Sequence, residues 1–162
     1  MKKTLFTLCF LFLTVQALPQ QEVFLESGRY SFIFADGWEV AVNPDYSFGI
    51  LARSHDKQID VSIFEIQASL AAVSMTTDTE LSVEYENLSY DPVENIEIWG
   101  VKVTSFTGRG TITGTDREVG FAVVYFEIGP EETIKAFCQI TPDAPESTID
   151  EMKEMLLSFK VQ

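Results

Sequence analysis

Few side chains in this sequence could do chemistry, and they do not gather into a working group. His55 is the one histidine, and Asp56 follows it. A histidine beside a carboxylate can act as a general base. These two are adjacent on a predicted hairpin turn, where neighbouring side chains point apart, and no nucleophile accompanies them. His55 therefore reads as a solvated turn residue. Cys138 falls on a predicted strand with Ile134, Ala136 and Ile140 on its face. That makes it a small core residue, whereas a reactive thiol needs an electropositive, partly open setting. Gly108-Arg109-Gly110 comes nearest to a glycine-rich phosphate loop, but it lies inside a strand, where glycine marks a bulge or close packing. Glu80, Glu84 and Glu86 on a helix, and Glu131-Glu132 at a turn, lack the spacing of a calcium loop and read as solvated. No G-x-S-x-G, H-E-x-x-H, P-loop or paired-cysteine metal pattern occurs. No catalytic, cofactor-binding or metal-binding residue is assigned, and the domain is expected to work without a metal or cofactor.

The elements around these residues follow from periodicity. Arg29 to Phe34 alternates, with Tyr30, Phe32 and Phe34 on one side, and predicts a strand. Asp36-Gly37 turns the chain, and Trp38 follows. Phe48–Arg53 and Ile59–Ile66 read as a hairpin joined by Ser54-His55-Asp56-Lys57. Thr77 with Glu80 suggests a capping box, and Leu81, Tyr85 and Leu88 continue at i+4 and i+7, which predicts an amphipathic helix over Thr77–Leu88. Ala68–Ser74 fits either a helical turn or a loop. Strands are expected at Val93–Trp99, Val101–Ile112, Arg117–Ile128 and Glu132–Ile140, with breaks at Gly100 and Gly114-Thr115-Asp116. A last helix starts near Ser147. Its stripe of Ile149, Met152, Met155, Leu156 and Phe159 is worth on the order of 10 kcal/mol gross when buried, as an upper bound.

Val119–Phe126 constrains the architecture. Val119, Phe121, Val123 and Tyr125 point one way and Ala122, Val124 and Phe126 the other. A strand apolar on both faces must be central and covered twice. Hairpin-length connections make the sheet antiparallel, and two helices can cover its opposite faces. The expected fold is α+β: a three-layer α/β/α sandwich with a mostly antiparallel meandering sheet of about six or seven strands and two main helices. The alternative is a closed β-barrel.

The chain ends set location and charge. Lys2-Lys3, the apolar run Thr4–Thr14 and Val15-Gln16-Ala17 have the order of a secretory signal peptide over residues 1–17. The run is shorter than the ~20 residues of a membrane span. Cleavage after Ala17 leaves 145 of the 162 residues, with nine basic against 25 acidic side chains. Such a surface repels phosphate backbones and anionic lipid, so neither nucleic acid nor membrane is expected as a partner. Cys138 is then the one remaining thiol and cannot form an internal disulfide, so the fold stands on its core. Residues 18–27 read as a lead segment and 28–162 as one domain, a monomer. Asn87-Leu88-Ser89 fits a glycosylation sequon, which matters in a eukaryotic pathway only; the Lys-Lys start is bacterial in style.

The order of elements from Gly28 to Lys160 resembles the PsbP-like superfamily. The residues that carry the likeness are the aromatic strand Tyr30–Phe34, the turn into Gly37-Trp38, the hairpin, helix and long meander, and a final helix ending Leu157-Ser158-Phe159-Lys160. The family often has a proline before the Gly-Trp; Ala35-Asp36 stands there here. That group includes the extrinsic photosystem protein, a Ran-binding nuclear-transport factor and small exported bacterial proteins. The resemblance implies an α/β/α sandwich that acts by binding, without catalysis. The expected function is that of an exported, non-enzymatic accessory protein of the bacterial envelope, periplasmic or extracellular, acting on a protein partner. Trp38, Tyr46 and Trp99 are the aromatic candidates for that contact. The alternative is a carrier of a small apolar ligand, in an internal pocket lined by residues such as Trp38, Phe48, Tyr125 and Phe137.

Overall fold

The computed structural model describes residues 20–42 and 49–162. The signal segment, Tyr46 and Phe48 lie outside them. Among the described residues the fold has two sheets and two helices. The small sheet holds β1 (Gln21–Phe24), β2 (Tyr30–Phe34) and β11 (Lys160–Val161), in the order β1-β2-β11. The main sheet holds eight strands: β3 (Glu39–Val42), β4 (Gly49–Arg53), β5 (Ile59–Ile66), β6 (Tyr85–Tyr90), β7 (Glu94–Ile98), β8 (Val101–Ile112), β9 (Glu118–Gly129) and β10 (Glu132–Ile140). Their order is β3-β4-β5-β10-β9-β8-β6, with β7 also on β8, and every pairing is antiparallel. β3 and β6 stand at opposite ends of the sheet, so it is open and not the closed barrel of the alternative reading.

β9 is central, as its two apolar faces require. Val119, Phe121, Val123 and Tyr125 enter one cluster with Val73 and Leu81 of α1 (Leu70–Glu84). Ala122, Val124 and Phe126 enter the other, with Met152, Met155 and Leu156 of α2 (Glu146–Leu157) and Phe32 and Phe34 of β2. The helices therefore cover opposite faces, and the small sheet shares the α2 layer. There Phe126, Phe159 and Phe32 pack ring to ring, with centroids 4.5 to 5.6 Å apart.

Three expectations are corrected. The described residues form eleven strands, eight of them in the main sheet, where six or seven were expected: β1, β3 and β11 are two to four residues long and show no clear period, and β1 lies in the lead segment. α1 begins seven residues before Thr77. That hydroxyl is not a cap: it donates to the Val73 carbonyl at 2.9 Å from inside the helix. The helix also stops at Glu84, and Tyr85, with φ −130° and ψ 143°, starts β6. Tyr85 and Leu88 keep a helical spacing while packing from a strand. They sit over Gly110, where an added Cβ would stand 3.0 Å from Tyr85 and 3.2 Å from Leu88. At Gly108 a Cβ would meet the Phe121 ring at 2.4 Å and the Ser89 carbonyl at 2.5 Å. The glycine pair thus lets β6, bulged between Glu86 and Ser89, lie tight on the sheet.

Candidate functional site

The residues of catalytic type are placed for structure. The half-exposed His55 has its Nδ1 3.8 Å from a Glu151 carboxylate oxygen, and that same oxygen accepts the Trp38 indole N–H at 2.9 Å. Asp56 turns away from it. Its carboxylate accepts from the Ser54 hydroxyl at 2.6 Å, the Gln58 N–H at 3.0 Å and the Thr148 hydroxyl at 2.7 Å. Burial alone would raise the Asp56 carboxyl, but these bonds together outweigh it and hold it below its ordinary value. The pair pins the β4–β5 turn to α2. Cys138 is fully buried, and burial pushes its thiol up to about 12, so at neutral pH it is a protonated core residue.

A second polar cluster joins the two sheets. Arg29, entering β2, donates to Glu65 of β5 at 2.6 Å and to Glu132 of β10 at 2.5 Å. The Tyr30 hydroxyl also donates to Glu132, at 3.0 Å. Burial, then the Glu132 carboxylate, pushes Tyr30 up to about 12. Burial would raise Glu132 as well, but the bonds from Arg29 and Tyr30 win and lower it. Sequence reasoning read Glu131-Glu132 as a solvated turn, and only the fold brings Arg29 across to it. Among the described residues no group of His, Cys, Asp and Glu could hold a metal ion.

The three aromatic candidates separate. Trp38 is 7 % exposed, packed on Phe34 with ring centroids 6.0 Å apart. Tyr46 lies outside the described residues. Trp99 is 82 % exposed, at the tip of the β7–β8 hairpin. Ile98 pairs with Val101, so Trp99-Gly100 is a two-residue turn, with φ 52° and 83°. Positive φ at both central positions is the type I′ geometry, which favours Asn-Gly. A bulky residue there is strained. Along the same sheet edge Tyr90, Val93 and Ile96 are exposed too.

Next to that edge lies a groove of about 750 Å³. α1 meets the sheet through a narrow stripe, Val73, Thr77 and Leu81. The small residues on its flank, Ser69, Ala71 and Ser74, leave the space open. Phe106 and Tyr125 line the floor, Leu70 and Val93 the walls, with Tyr90 beside them. The apolar side chains expected to line one internal pocket do not come together among the described residues: Trp38 packs in the α2 cluster, and Tyr125 and Phe137 lie across the sheet in the α1 cluster.

No family model and no curated protein matches the sequence. Solved structures do. Cyanobacterial PsbP from Synechocystis sp. PCC 6803 superposes with a TM-score of 0.62 at 14% identity, over 92% of this chain and 96% of that one. The Saccharomyces cerevisiae Ran-binding protein Mog1p gives 0.63 at 11% identity, over 90% and 96%. LpqN of Mycobacterium tuberculosis, involved in cell envelope biogenesis, gives 0.60 at 10% identity, over 89% and 91%. At these identities the likeness is one of fold: the chain has the fold shared by PsbP and Mog1.

Proposed function

We propose that this chain is an exported, non-enzymatic accessory protein of the bacterial envelope, a monomer that works by holding a protein partner. The observation that carries the reading is Trp99. An exposed indole in a strained turn favours neither folding nor solubility, and large aromatics anchor protein contacts. Among the described residues β7 pairs with β8 alone, so its outer edge offers N–H and C=O groups beside Ile96, as an added strand requires. Two proteins of the same fold support it: one binds Ran, and one takes part in envelope biogenesis. Tyr46 is proposed as a further contact, and Trp38 as a buried support for the chain entering β3. Export would proceed through residues 1–17, and N-terminal sequencing of the exported protein should then begin at Leu18.

The test is a photo-crosslinking residue placed at position 99 or, as a control, at Lys57, which lies at the other end of the strands. In envelope extract, position 99 should capture a protein that position 57 does not, and Ile96→Asp should abolish the adduct. The same adducts at both positions, or adducts with lipid alone, would overturn the reading.

A further inference from the structure

The groove beside α1 has a chemistry of its own, independent of the hairpin edge. Its apolar surface comes from Leu70, Val93, Phe106 and the rings of Tyr90 and Tyr125, and three carboxylates, Asp78, Asp91 and Glu127, line it with no basic residue among them. Asp91 is held by the Thr107 hydroxyl at 2.6 Å. Asp78 and Glu127 make no ion pair among the described residues. Lys102 faces Glu127 across β8–β9, without closing a salt bridge, and leaves the groove net negative. At the floor the Tyr125 hydroxyl is buried beside the Ser74 and Thr77 hydroxyls of α1, in a residue that is 2 % exposed. A space of this size matches a small-molecule site.

We propose that the groove binds an apolar organic cation, an aliphatic or aromatic body ending in an ammonium group. The body packs against Leu70, Val93 and Phe106. The charge is met by the Asp78 and Glu127 carboxylates and by the aromatic faces, which attract cations. The negative lining selects against a fatty acid of the same length, and the charge selects against a neutral alcohol.

The test is calorimetric titration of the purified protein with decylammonium, decanol and decanoate, each below its aggregation concentration. Decylammonium should bind about tenfold or more tighter than decanol, with decanoate weakest. Asp78→Asn with Glu127→Gln should lower its affinity about tenfold. Glu146→Gln with Asp150→Asn, which removes equal charge from α2, should leave it unchanged, and thermal melts check that both variants fold. Equal affinity for amine and alcohol, or equal loss in the two double variants, would overturn the proposal. So would a basic apolar peptide that binds the groove and is not displaced by decylammonium, since the site would then take a polypeptide.

Discussion

The two faces of the main sheet are covered to different degrees. One face is sealed by α2 and the small sheet, with Phe32, Phe34, Phe126 and Phe159 all fully buried. The other meets one helix along three side chains, one of them a threonine, and leaves a groove, an exposed edge and a strained tryptophan. Met75 and Val83 on that helix face solvent. Packing on the sealed face is close enough that each side chain there serves stability. On the open face Met75, Val83 and Trp99 are exposed and add little to it, and the proposed contacts are our account of Trp99 and the groove.

The comparison breaks most sharply at Phe126. Phe126→Ala on the sealed face should cost about 3–5 kcal/mol, read as a large drop in the denaturation midpoint. Phe106→Ala, half-buried in the groove, should cost about 1 kcal/mol and weaken alkylammonium binding instead. Equal losses would remove the distinction between the faces. Arg29→Met comes next. It leaves the Glu65 and Glu132 carboxylates without their cation, so the melting temperature should fall, and adding Glu65→Gln should restore part of the loss. No change on Arg29→Met would mean that the small sheet docks through its aromatics alone.

Acid should act on the sealed face too. The Asp56 and Glu132 carboxyls are lowered from ordinary values of 3.8 and 4.5. Depressed folded values stabilise fully above the unfolded ones and less as pH falls through them. Melts should stay flat down to about pH 4.5 and decline below it. Thr148→Val, which removes one donor to Asp56, should shallow that decline; an unchanged slope would show that the bond does not matter.

Legibility in the sequence follows the same division. The sealed face was readable because its residues obey a period: Tyr30, Phe32 and Phe34 alternate, and the α2 stripe repeats at helical spacing. β9, apolar on both sides, announced its central place. α1 was misplaced because its buried face is too thin to outweigh a false capping pair, and because Tyr85 and Leu88 imitate its spacing from β6. The groove was invisible, since it depends on small residues of α1 lying opposite β6 and β8. Trp99 was legible as a large aromatic at a glycine break, while its positive φ was not. Arg29 gave no signal, because its partners lie 36 and 103 residues away.

The most direct measurement combines a thermal melt with affinity capture from envelope extract on Trp99→Asn, compared with the unsubstituted protein. Asparagine suits the left-handed turn, so the account predicts an unchanged or raised melting temperature, by up to about 1 kcal/mol of relieved strain, together with loss of the protein captured at this hairpin. A lowered melting temperature would make Trp99 a structural residue, and undiminished capture would place the contact elsewhere; either result contradicts the account.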